Sequence, residues 1–145
     1  EILEKINGFD RNGLVSYTDF DLLVRASQIS KFKELKKPLV NYYVDNKGIS
    51  RNYNAKFKGK LKVLKKYKSF YKKYNLMYFY GKHLEVLADY ALLQNHKKEA
   101  IKTYIKSLFI SPFVFKRYLK IIITLLGGKN LYINLLKNRI NKNKP

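Results

Sequence analysis

The sequence predicts a mainly α-helical protein with a small α+β part at its N-terminus. Three observations carry this. After Asn52 the apolar residues recur at the 3.6-residue spacing of helices, whereas the signals before it are mixed. The charge changes at the same place: residues 1–50 hold 8 basic and 7 acidic groups, and residues 51–145 hold 23 and 3. Finally, 46% of the 145 residues are apolar, with 13 Tyr and 9 Phe, so a net charge of +21 does not describe a disordered basic tail. Such a tail lacks the apolar surface needed to offset chain entropy.

The elements follow in order. Glu1 to Ile6 is a short apolar-periodic stretch ended by Asn7-Gly8, and Phe9-Asp10 leads into a polar loop with Gly13. At Ser16-Tyr17-Thr18-Asp19-Phe20-Asp21 a Ser or Thr stands three residues before an acid, which marks a helix start. Phe20, Leu23 and Val24 continue at helical spacing and predict a helix over residues 19–29. Phe32, Leu35, Leu39, Tyr42 and Val44 around Pro38 predict two short strands, or one bent at the proline, between residues 31 and 44, ended by Gly48.

Phe57, Leu61, Leu64, Tyr67, Tyr71 and Tyr74 then form one apolar stripe on a helix of about 20 residues. Its other face carries nine lysines between Lys56 and Lys73 with no acid among them. Two helices, over 76–93 and 97–110, are separated by Gln94-Asn95-His96. Pro112 is read as starting a fourth, through Leu126, stopped by Gly127-Gly128, and residues 131–140 form a last amphipathic segment before an Asn/Lys tail. Leu84, Leu87, Ala88, Ala91, Ala100, Tyr104 and Pro112 sit at the spacings of one tetratricopeptide repeat. No second copy follows, so the expectation is a repeat-like hairpin over 76–112 rather than a solenoid.

Composition excludes several functions. With no cysteine there is no disulfide-stapled module, thiolate zinc site or cysteine nucleophile. His83 and His96 have only Glu85 and Glu99 near them in sequence, so no zinc motif results, and both read as surface or helix-end residues. Gly127-Gly128 lacks the Lys-Ser/Thr of a phosphate loop. The longest apolar stretch, residues 121–126 with Thr124 inside it, is far short of the roughly 20 residues that span a bilayer, and the expectation is that no signal peptide opens the chain. The expected location is the cytoplasm, with a peripheral position on the cytoplasmic membrane face.

Of 31 basic residues 26 are lysine, which disfavours nucleic acid as a partner because its readers lean on arginine. Lys58, Lys62, Lys65 and Lys72 define the expected anion or membrane surface. A solvated face inherited from AT-rich coding explains them equally well. Among the acids, Asp10, Asp19 and Asp21 stand out in the half not crowded by lysines. Local structure accounts for them as a turn residue and two first-turn acids favoured by the helix dipole.

The residues around them point further. Gly8-Phe9-Asp10, then Asp19-Phe20-Asp21-Leu22, Arg25 one turn later, Lys37-Pro38-Leu39-Val40-Asn41-Tyr42-Tyr43 and Ile49-Ser50 resemble the C-terminal part of family 2 glycosyltransferases of the GT-A fold. The resemblance covers roughly residues 2–52. It implies that residues 1–52 are the truncated C-terminal, acceptor-side segment of a GT-A α/β domain, and that residues 53–145 are a basic extension, a bundle of amphipathic helices.

The implied reaction is inverting transfer of a sugar from a nucleotide-sugar to a hydroxyl of a cell-surface glycan or lipid-linked acceptor. Asp19 falls on the catalytic-base position; Asp21 is implied as a capping or orienting residue, Arg25 as a helix anchor, and Gly8, Phe9 and Asp10 as the acceptor side. The family's nucleotide pocket and Asp-x-Asp site for Mg or Mn lie upstream of this segment, so the chain reads as a piece of a longer protein, inactive alone and holding no cofactor itself. The alternative is a basic helical interaction module that binds anionic membrane, nucleic acid or a partner protein.

Overall fold

A computed structural model describes residues 1–10, 14, 16–41 and 52–142, with residues 136–142 given by their backbone alone. All regular structure among them is helical: α1 (Ile2–Lys5), α2 (Thr18–Ser27), α3 (Tyr53–Lys66), α4 (Lys68–Lys73), α5 (Met77–Leu93), α6 (Lys97–Ile110) and α7 (Phe115–Lys142). The chain forms two compact units, Glu1–Val63 and Leu64–Pro145, which divide inside α3. The mainly α class is therefore observed.

The α+β character is not found. Residues 31–41 are coil, and Leu35, Leu39 and Val40 are exposed. A strand exists only where a neighbour takes its ladder hydrogen bonds, and no strand partner occurs among the described residues. Gly13, Tyr42 to Val44, Gly48, Ile49 and Ser50 lie outside the described residues.

The helix at residue 19 is present one residue early, but its cap differs from expectation. Tyr17 is the N-cap in a left-handed conformation (φ 67°), and its side chain makes no capping hydrogen bond. The long helix of residues 56–74 breaks at Tyr67 (φ −104°, ψ 13°) into α3 and α4. The cause is visible in the stripe, whose steps average about 3.4 residues against 3.6 in a straight helix. A continuous helix would rotate the end of the stripe away from its start; after the break Tyr67 and Tyr71 are buried and Tyr74 remains exposed.

Asparagine ends three of the helices in the same way. Asn7, Asn75 and Asn95 have φ of 55°, 54° and 65°. In each case the next amide reaches back across the turn: Gly8 N to Leu3 O (2.8 Å), Leu76 N to Tyr71 O (2.8 Å) and His96 N to Ala91 O (2.9 Å). These are Schellman closures, with asparagine in the place glycine usually takes. His96 is thus a helix-end residue. His83 sits against Tyr71, with ring centres 5.7 Å apart.

α5 and α6 pair antiparallel across the short Gln94-Asn95-His96 link, and their interface is the one the repeat-like spacing picks out. Leu84, Leu87, Ala88, Ala91, Ala100 and Tyr104 are all buried. Small residues at Ala88, Ala91 and Ala100 let the two backbones approach. α7 begins at Phe115, after Pro112 rather than at it, and runs to Lys142. Gly128 interrupts it with φ 55° and ψ −143°, a conformation reserved for glycine, so the expected Gly-Gly stop is a kink between two helical stretches.

Candidate functional site

In the N-terminal unit the sequence-selected residues separate into a clamp and an exposed acid. Asp21 is fully buried and receives Arg25 Nε at 2.8 Å. The same guanidinium donates from Nη2 to Gly8 O at 2.7 Å and from Nη1 to Ile6 O. Gly8, Asp21 and Arg25 are thus brought together, and the turn that carries Phe9 and Asp10 is tied to α2. Phe9 is exposed and Asp10 half-buried. Asp19 stands outside the clamp on the first turn of α2, exposed, with Oδ1 accepting from the Phe20 amide at 2.8 Å.

Lys58, Lys62, Lys65 and Lys72 are exposed, as an anion surface requires. Lys60 departs from that face. It is 4% exposed, and its ammonium lies 4.5 Å from the Tyr17 ring centre and 5.7 Å from that of Phe20. Burial pulls its pKa from 10.5 down to about 8. Between those values the unfolded chain keeps a proton that the folded one has released, so stability rises with pH in that window. Lys60→Met removes the ammonium and is expected to leave the N-terminal unit folded at neutral pH. It should also flatten the rise that urea unfolding shows for the wild type from about pH 7 to 10. An unchanged pH profile would mean that Lys60 does not carry it.

The C-terminal unit holds a charge network that the sequence pattern did not single out. Only three acids occur after residue 50, and two of them, Glu85 and Asp89, sit one turn apart on α5. Lys120 Nζ lies 2.7 Å from Glu85 Oε1 and donates to both Asp89 oxygens at 3.0 and 2.9 Å. Arg117, fully buried, donates from Nε to Glu85 Oε2 (3.1 Å) and from Nη1 to the carbonyls of Ser107 (2.9 Å) and Ser111 (3.1 Å). The Tyr104 hydroxyl donates to Asp89 Oδ1 at 2.5 Å.

Gly81 leaves the room these groups need, since a Cβ there would meet Ser111 Oγ at 3.2 Å and Arg117 Nη2 at 3.3 Å. Burial alone would raise the Glu85 carboxyl, but the hydrogen bonds and charges of Lys120 and Arg117 outweigh it and hold it below the usual value. Burial, reinforced by the Asp89 charge and hydrogen bond, pushes the Tyr104 and Tyr132 phenols upward, so both stay protonated donors. The signal available in the sequence was the pairing of two acids at i, i+4 with two bases at i, i+3 in a region otherwise short of acids.

Beside this network an open groove of about 610 Å3 is lined by Tyr78, Lys82, Glu85, Phe113, Phe115 and Lys116. Its walls suit binding rather than bond-breaking, because Glu85 is committed to two cations. Among the described residues no three His, Asp or Glu side chains converge as metal ligands. No helix among them is long and apolar enough to cross a membrane. No protein-family model, curated protein or solved structure matches the chain.

Proposed function

We propose that the chain is the acceptor-side, C-terminal portion of an inverting family 2 glycosyltransferase, with the helices after residue 52 as its extension. The observation that supports this best is the Arg25 clamp. A buried Asp21–Arg25 pair fastens the Gly8-Phe9-Asp10 turn to α2 and leaves Asp19 exposed at the start of the same helix. A base works best on a rigid element, and a place on the first turn of a helix fixes the direction of the side chain.

In this reading Asp19 takes the proton of the acceptor hydroxyl as its oxygen attacks the anomeric carbon, and the nucleotide leaves from the opposite face. The nucleotide-sugar and its divalent cation are held by other parts of the enzyme. In the natural full-length protein, Asp19→Asn is expected to lower sugar transfer at least about a hundredfold, the low end of general-base effects, with nucleotide-sugar affinity nearly unchanged. Normal turnover in that variant would return Asp19 to a first-turn acid with no chemical role. The interaction-module reading is supported by the exposed Lys58, Lys62, Lys65 and Lys72.

A further inference from the structure

The first half of α7 is inside out. Its charged and polar side, Arg117, Lys120 and Thr124, is turned into the protein, where Arg117 and Thr124 are fully buried. Its opposite side presents Phe115, Tyr118, Leu119, Ile122, Leu125 and Leu126, all exposed, with Phe115 at 80% and Leu126 at 79%. These residues step by three and one, so they form a single ridge along the helix. Phe113, 87% exposed, precedes it at the α6–α7 turn. A water-facing helix normally has the reverse polarity, and a contiguous exposed apolar patch marks a contact surface.

Charge selects what the ridge meets. Residues 51–145 carry 23 Lys and Arg against three acids, and Glu85 and Asp89 are spent inside the protein, which leaves Glu99 as the exposed acid of this region. A second copy would press two strongly cationic surfaces together. A bilayer with anionic headgroups accepts both features at once: its acyl boundary takes the aromatic and aliphatic ridge, and its headgroups take exposed lysines such as Lys116, next in the chain to Phe115.

We infer that the apolar ridge of α7, Phe115 to Leu126, docks the protein on an anionic phospholipid surface. The ridge, not the lysine face of α3 and α4, is the part that inserts. This stands apart from the glycosyltransferase reading, and it is measured without any sugar donor.

The test uses the whole chain with vesicles of phosphatidylcholine, alone or with about 30 mol% phosphatidylserine, at about 0.15 M salt. The wild type is expected to sediment with the mixed vesicles and not with phosphatidylcholine alone. Replacing Phe115, Leu119, Ile122 and Leu126 by Gln should weaken that binding at least about tenfold, with helix content kept because the sites are exposed and Gln is a good helix former. Replacing Lys58, Lys62, Lys65 and Lys72 by Gln should weaken it less.

The chain has no tryptophan, so Ile122→Trp supplies a single reporter that does not depend on the multiple variant folding. Its indole emission should shift to the blue on mixed vesicles and be quenched by brominated acyl chains, as expected for a group about 5–10 Å into the interface. No binding to mixed vesicles, an unshifted indole emission from Ile122→Trp, or stronger loss from the lysine variant than from the ridge variant would each overturn the inference. So would a dimer in solution that the ridge variant abolishes, because the ridge would then be covered by a second copy.

Discussion

Asp89→Ala is expected to cost the C-terminal unit about 3–4 kcal/mol, measured by urea unfolding at neutral pH. The carboxylate is the acceptor on which α5, α6 and α7 converge: it takes Lys120 at 2.9 and 3.0 Å and the Tyr104 hydroxyl at 2.5 Å. The same carboxylate helps push the phenol of the buried Tyr132 upward. Removing the acid strands the buried Tyr104 phenol, a loss of about 1–3 kcal/mol, and leaves Lys120 with Glu85 alone. The interaction is with the donors rather than with the volume of Asp89. Asp89→Leu combined with Tyr104→Phe and Tyr132→Phe should therefore recover at least about half of the loss, since unmatched polar groups cost more than absent ones. If the triple variant is no more stable than Asp89→Ala, the loss comes from packing.

The features the sequence made legible are those whose cause is local. The α5–α6 hairpin could be read from Leu84, Ala88, Ala91, Ala100 and Tyr104 because close helix contact imposes small residues at fixed spacing within a few turns. The Gly127-Gly128 interruption was legible because only glycine takes ψ −143° at φ 55°. What failed depended on partners distant in sequence. Leu35, Leu39 and Val40 resemble a strand, but pairing lies outside the segment. Arg117 meets Glu85 across 32 residues, so the spacing of the two acids and of the two bases shows the groups but not that they pair. Residues 121–126 are mostly apolar, yet the network turns the polar side of α7, with Arg117 and Thr124, inward. Lys60 was hidden among eight neighbouring lysines that are chemically identical to it, and only packing against Tyr17 and Phe20 sets it apart. In the candidate site, the sequence singled out Asp21 and Arg25 but not the way they meet, because the carbonyls of Ile6 and Gly8 leave no trace in a sequence.

Arg25→Ala is expected to lower the stability of the N-terminal unit by about 3 kcal/mol. Asp21 is fully buried, so loss of the Nε contact at 2.8 Å takes an ion pair away from a carboxylate whose burial is costly. The carbonyls of Ile6 and Gly8 lose a charged donor at the same time. Asp21→Asn should be milder, about 1–2 kcal/mol, because Arg25 keeps both carbonyls and the amide can still accept a hydrogen bond. Amide exchange reads this locally, which matters in a chain of two units where a single unfolding midpoint mixes both. Amides in residues 2–8 and 18–27 should exchange roughly a hundredfold faster in Arg25→Ala, while those of α5 and α6 stay unchanged. Arg25→Lys offers one ammonium where three donors of a planar fork were used, so it should hold at most part of the clamp. In the full-length protein, if the Gly8-Phe9-Asp10 turn faces the acceptor, Arg25→Lys should raise KM for the acceptor and leave KM for the nucleotide-sugar alone. Equal changes in both constants would place the clamp in stability rather than in acceptor binding.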